Sequence, residues 1–272
     1  MKIKILFIIL FFTTNINAQE LFVMTEPASN MPSNSIGVRT MNSFMYENNG
    51  TLNYHLMPEL MWGISQKWMM HLQSFHSNRV GGGLKTEGGS VYAKYRFYSV
   101  DDMHSHFRMA AYGRYSINNA DIHQDEVETM GHNTGFETGL IATKLQNKVA
   151  ISASTSYERA LDNLPNYKFP TTQSHHAINY TISIGKLMYP KTYNSLNQTN
   201  INVMCEFLGQ TLNPNGRSYL DVVPSIQFII RSQARIDFAY RKQLYSSMLR
   251  TAPNGFMIKF EYTFFNVFKN KQ

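Results

Sequence analysis

The stretch that most constrains this chain lies near its end, Gly255-Phe256-Met257-Ile258-Lys259-Phe260-Glu261-Tyr262-Thr263-Phe264-Phe265. Side chains of a strand alternate between its two faces. Phe256, Ile258, Phe260, Tyr262 and Phe264 therefore share one face, and Met257, Lys259, Glu261 and Thr263 the other. The first face is apolar and aromatic; the second is polar and charged. A helix would mix the two sets around its axis, so this segment is a strand between an apolar medium and a polar one.

The same alternation recurs along the chain and predicts twelve strands, with ten or fourteen as the bounds. They run 35–45, 52–64, 67–76, 88–98, 104–117, 132–145, 148–158, 177–187, 199–208, 219–230, 234–243 and 255–265. Short turns at Ser65-Gln66, Val100-Asp101-Asp102, Gln146-Asn147 and Arg231-Ser232-Gln233 alternate with long connections, among them 77–86 with its Gly81-Gly82-Gly83, 118–131, 159–176, 209–218 and 244–254. Pro58 and Pro224 fall inside predicted strands, where the missing N–H predicts a bulge or an edge. The connection Met188 to Gln198 occupies the place of a short turn but is too long for one.

Lys2 and Lys4 precede the apolar run Ile5 to Phe12, and Ile16-Asn17-Ala18 offers small residues before Gln19, the pattern of a secretory signal peptide over residues 1–18. Beyond it, no stretch approaches the roughly 20 apolar residues of a spanning helix. If the chain crosses a membrane, it does so in strands. Aromatics are 13% while mean hydropathy is negative, as two-faced strands require. Cys205 lies with Ile201, Val203 and Phe207 on an apolar face and reads as a small hydrophobe. The net charge, +7 and then +5 once Lys2 and Lys4 leave, is carried by basic residues scattered along strands, so no nucleic-acid footprint is present.

Taken together, the leader, the alternating strands and the closing Gly255 to Phe265 resemble a Gram-negative outer-membrane β-barrel. More loosely, Thr25 to Met31 and Arg250 to Gly255 resemble barrels of the MetA-pathway phenol-degradation or transporter-like kind. The resemblance implies an all-β, antiparallel up-and-down barrel over residues 35–268, preceded by an irregular periplasmic lead-in at 19–34. It also implies that Gly255, Phe260, Tyr262 and Phe264 form the signal read by the barrel-assembly machinery, that the outer face meets outer-membrane lipid, and that small solutes pass passively. No cofactor is implied.

With the more apolar faces turned to lipid, the inner wall carries Lys94, Arg96, His106, Arg108, Arg114, Glu137, Glu158, Glu206, Asp221, Arg235, Asp237, Arg241, Lys259 and Glu261. These charges either pair across the interior or select solutes by sign. The first three strands add Met41, Met45, His55, Met57, Glu59, Met61, Met69 and His71, a thioether and imidazole set suited to a soft cation such as Cu(I). Against this stands the abundance of Met, with 16 copies, and its use as a gap-filler. Loop histidines His123, His132, His175 and His176 read as solvated groups or as ion or pH sensors. A hydrolase needs a Ser or Thr beside a His held by a third polar group; His132-Asn133-Thr134 is the nearest approach. Three functions follow: a channel or transporter for a small solute, a filled barrel that binds through its loops, and a soft-metal barrel.

Overall fold

The computed structural model describes residues 22–47, 50–79, 83–102, 105–165, 167–190 and 197–268. The proposed signal peptide, the start of the lead-in, His104, Gly81-Gly82 and the middle of the Met188–Gln198 connection lie outside the described residues. Twelve antiparallel strands close on themselves: β1 (Ser35–Tyr46), β2 (Leu52–Gly63), β3 (Trp68–Ser77), β4 (Lys85–Asp101), β5 (Ser105–Asn118), β6 (Gly135–Gln146), β7 (Val149–Ala160), β8 (His176–Tyr189), β9 (Thr199–Asn213), β10 (Ser218–Ile230), β11 (Ala234–Ser246) and β12 (Asn254–Phe264). Each pairs with its sequence neighbours, and β12 returns to β1 with Thr40 opposite Phe260 and Met41 opposite Lys259. Closure leaves no sheet edge, which is the condition for spanning lipid with strands.

Several expectations are corrected in detail. β9 runs on to Asn213, so the long connection predicted at 209–218 is a tight hairpin. β6 begins at Gly135, so His132 and Thr134 belong to the preceding loop rather than to one strand face. Pro58 and Pro224 cause no bulge. Pro58 stays in register with Thr40, and Pro224 with Cys205, while each lacks a ladder partner on the other side, toward β3 and β11 respectively. A proline lacks one donor only, so a strand can present that gap to a single neighbour. The register shifts fall elsewhere, at Phe75/His76, Arg96/Tyr98, Leu187/Tyr189 and Leu220/Asp221.

The outer face carries an aliphatic band that includes Leu60, Leu72, Val91, Leu140, Ile151, Ile182 and Val203, all exposed. Aromatics flank it at both ends. Trp62 packs on Phe268 and Trp68 on Tyr95 at the short-turn end, while Tyr240 packs on Phe256 near the long-loop end. So much exposed apolar surface is untenable in water and fits a bilayer bounded by aromatic girdles.

The lead-in does not stop at the rim. Phe22, Val23, Ala28 and Met31 are buried, because residues 22–34 turn back into the barrel before β1 begins. From the opposite end the loop 119–134 folds inward, burying Gln124, Asp125, Glu126, Val127 and Thr129. The core of this protein is therefore a polar wall packed around two chain segments.

Candidate functional site

All fourteen charged and imidazole residues read as lumen-facing sit on the inner wall, eleven buried and three, Arg96, Arg114 and Glu137, half-buried. What they face is mostly protein. Glu206 accepts the backbone N–H groups of Val23, Met24 and Thr25 at 2.9, 3.0 and 2.9 Å and the Thr25 hydroxyl at 2.8 Å. Lys94 Nζ donates to the carbonyls of Pro27 and Ser29 at 2.6 and 2.8 Å, and Lys259 Nζ to that of Val23 at 2.6 Å. Arg108 donates to Ser29 Oγ at 2.9 Å while paired with Asp101 at 2.7 Å. The irregular segment has no ladder to satisfy its peptide groups, so charged wall residues supply the partners that burial demands.

The loop is held in the same way. Arg250 stacks on the Tyr219 ring, 3.7 Å from its centroid, and bonds both Asp221 (2.7 and 2.9 Å) and Glu126 (2.9 and 3.0 Å). Arg241 joins through Asp221 at 2.7 Å and Glu126 at 3.5 Å. Glu158 accepts Thr129 N–H at 2.6 Å, and Gln210 exchanges two hydrogen bonds with the Val127 backbone. In the loop itself, burial and the neighbouring Glu126 carboxylate push Glu128 up to about 7, and burial together with the Arg79 charge holds His132 well below the ordinary histidine range.

Between these two systems lies an ion-pair belt. Arg39 bonds Glu26 at 2.6 Å, Glu261 at 2.9 Å and Glu59 at 3.2 Å; Arg235 pairs with Asp237 at 2.8 Å and Glu261 at 3.4 Å. Arg114 lies 3.8 Å from Glu137, which also accepts from Tyr112 and Ser156 at 2.6 and 2.7 Å. Arg39, Glu26, Glu126 and Arg250 were not singled out from sequence. Their positions in a lead-in, a loop and a Met-bearing strand give no signal of their own; only the meeting of distant segments defines them.

The eight residues offered as a soft-metal set do not converge, and that set is corrected. Glu59 is bound to Arg39 and to His71 Nδ1, at 2.5 Å. Met61 and Met69 pack with Met31 in a separate cluster near the short-turn end. Met41, Met45, His55 and Met57 lie higher, around a different cavity. Of the histidines read as loop residues, His176 instead opens β8 and meets Tyr157 Oη at 2.5 Å, His175 packs on Phe169, and His123 meets Thr251 Oγ1 at 2.9 Å. Thr134 donates to the Asn118 carbonyl and Asn133 accepts from Glu128 N–H, so the segment considered for hydrolysis shapes a turn instead. Among the described residues no group of three or more His, Cys, Asp or Glu is arranged to hold a metal ion.

Beside the inserted segments, among the described residues, lie two cavities with polar and thioether walls. The larger, about 170 Å³, is walled by Tyr92, Tyr112, Arg114, Glu137, Glu158 and Gln210 below the loop. The smaller, about 60 Å³, lies against β1, β2 and β12, and Met24, Met130, Glu126, Glu128 and Arg241 border both.

These features define a closed, twelve-stranded antiparallel barrel of the outer-membrane type with an occupied lumen. Its fold is similar to that of an outer-membrane channel from Pseudomonas putida F1, with a TM-score of 0.56 and 11% identity over 89% of this chain and 99% of that one. More distant similarities are to the NanC porin (TM-score 0.49, 9% identity, 84% and 98% covered) and to the β domain of the Bordetella autotransporter BrkA (0.49, 12%, 85% and 99%). At such identities the likeness is one of fold. No family model matches the chain, and no curated protein matches it by sequence. The finer likeness to MetA-pathway barrels is not carried by these matches.

Proposed function

We propose that this protein is an outer-membrane barrel that passes a small solute and is closed in the form described, with residues 22–34 and the loop 119–134 as its two stoppers. The supporting observation is that the occluding parts lie outside the ladder. They are held by side chains onto backbone groups, as in the three N–H bonds to Glu206, so they can withdraw without breaking a strand pair. A barrel filled by wall side chains alone would have no such option. In this reading residues 1–18 direct export, the long loops face outward, the aliphatic band meets outer-membrane lipid, and the strand Gly255 to Phe264 is presented to the assembly machinery. The mixed charges around the larger cavity favour a small polar solute.

Single-channel recording in planar bilayers tests this. The mature protein is expected to be mostly silent, whereas a variant lacking residues 22–31 and with the 121–131 loop shortened conducts steadily. A heat-modifiable, correctly folded double variant that stays silent refutes the channel and favours a barrel that acts by binding at its loops.

A further inference from the structure

The smaller cavity has a chemistry that the channel reading does not use. Three adjacent strands present a grid to it, read from the register of β2, β1 and β12. Met57, Met41 and Lys259 form one row, His55, Ser43 and Met257 the next, and Asn53, Met45 and Gly255 the third. Directly opposed positions in an antiparallel sheet place Cβ atoms about 5 Å apart. Four thioethers and one imidazole therefore surround Ser43 within a single side-chain reach. Gly255 contributes by absence, since a Cβ there would lie 2.6 Å from the Met45 sulfur.

The two inserted segments complete the ring. Met24 comes from the lead-in and Met130 from the loop, and His132 brings its ring to 5.4 Å from that of His55, edge to face. Among the described residues neither nitrogen of His132 has a hydrogen-bond partner, although both are buried; the Glu128 carboxylate lies 3.5 Å from Nδ1. A buried, unsatisfied imidazole costs free energy unless it meets a ligand. The abundance of Met does not account for the cluster. With 16 Met in 272 residues, about one is expected among fourteen lining residues, and six are present.

We infer that this chamber binds a soft monovalent cation of the Cu(I) or Ag(I) type, through the thioethers of Met41, Met57, Met257 and Met130 and the imidazoles of His55 and His132. Thioether sulfur and neutral imidazole are the protein donors that suit such ions, while hard cations prefer oxygen. At about 60 Å³ the chamber has room for a cation and for water beside it. The charge balance also permits it. Arg241 is already neutralised by Asp221 and Glu126, and Glu128 makes no ion pair with an Arg or Lys among the described residues. The ligands come from the wall and from a stopper together, so the cation would be held only in the closed barrel. The site stands whether or not the barrel conducts.

Ag(I), which needs no reductant, is the probe. Isothermal titration of the refolded mature chain carrying Cys205→Ser, which removes the free thiol that would itself take Ag(I), should show a single tight equivalent in detergent, and X-ray absorption of the silver should show sulfur neighbours. The triple variant Met41→Leu/Met57→Leu/Met257→Leu keeps apolar volume and should weaken binding by at least about tenfold. His132→Ala should weaken it as well. Met61→Leu/Met69→Leu, in the separate lower cluster, should leave it unchanged. Absence of stoichiometric Ag(I) binding by heat-modifiable Cys205→Ser protein overturns the inference, as does equal loss from the two leucine variants. Conductance recorded on the same preparations is scored separately, so failure of the metal site and failure of the channel remain distinct.

Discussion

Replacing Glu206 by Leu tests whether the lead-in is a removable stopper. The Glu206 side chain is fully buried in the wall, and its carboxylate takes three consecutive backbone N–H groups and the Thr25 hydroxyl. Leucine fills similar volume and accepts nothing. Each buried donor left without a partner costs about 1–3 kcal/mol, so the three N–H groups together cost roughly 3–9 kcal/mol if the segment stays docked. Relief of the carboxylate's own desolvation and local rearrangement reduce that sum, and about 3 kcal/mol is a fair lower figure. At 1.4 kcal/mol per power of ten, the undocked population of residues 22–25 should rise by about two orders of magnitude. Residues 26–34 should stay, because Lys94, Arg108 and Arg39 hold them independently of Glu206. Limited thermolysin digestion of the folded protein, read by intact mass, measures the effect as faster trimming ahead of Thr25. Glu206→Gln keeps one acceptor oxygen and should fall between the two. If Glu206→Leu folds, as judged by heat modifiability, and is trimmed no faster than wild type, the carboxylate is not what docks the segment and the reasoning fails.

The loop should respond to its own latch. Arg250→Ala leaves two buried carboxylates, Asp221 and Glu126, to share Arg241 alone, uncovering one net buried charge, a change typically worth about 3–5 kcal/mol, and should expose 119–134 to protease while the barrel stays heat-modifiable. His132, held neutral by burial, makes acid oppose docking, so in a His132→Ala background, where only Glu128 acts, acidity should favour the docked loop. The folded-state pKa of Glu128 is raised to about 7 from an ordinary 4.5, so the docked form holds a proton that the free loop has lost, and docking weakens as pH climbs between those values. Protease sensitivity of the loop at pH 8 against pH 5 checks this, and an unchanged or reversed trend contradicts it. Phe260→Arg puts a charge on the outer face, at a cost of about 2–4 kcal/mol near the midplane, and should reduce heat-modifiable protein in membranes. Gly255→Ala should weaken the β1–β12 seam, since the added Cβ would lie 2.2 Å from the Phe44 carbonyl oxygen, and thermal unfolding should begin at lower temperature.

Strand count, order and facing were legible in the sequence because they rest on a local period. Phe256, Ile258 and Phe260 against Met257, Lys259 and Glu261 separate by alternation alone, and a one-residue slip would invert the separation. The strand ends were less legible. β9 continues through Gly209 and Gln210, where a glycine read as loop instead sits under the Tyr180 ring, with no room for a Cβ.

By itself, then, the sequence determined two-faced strands with their charges on one side, since a period of two separates the faces, while closure into a barrel rested on the resemblance of the leader and last strand, because alternation alone fits a sandwich as well. What those inward charges do was decided by tertiary structure alone. Glu206 meets Val23 across 183 residues and Arg250 meets Glu126 across 124, through segments with no periodicity to announce them. The methionines show the same division. Alternation placed Met41, Met57, Met61 and Met69 on the inner wall. Register, together with the ends of the lead-in and loop, then separated the first two into a chamber with His55 and His132 and left the others around Met31. A periodic pattern specifies which way a side chain points; only closure of the barrel and insertion of irregular chain specify what it meets.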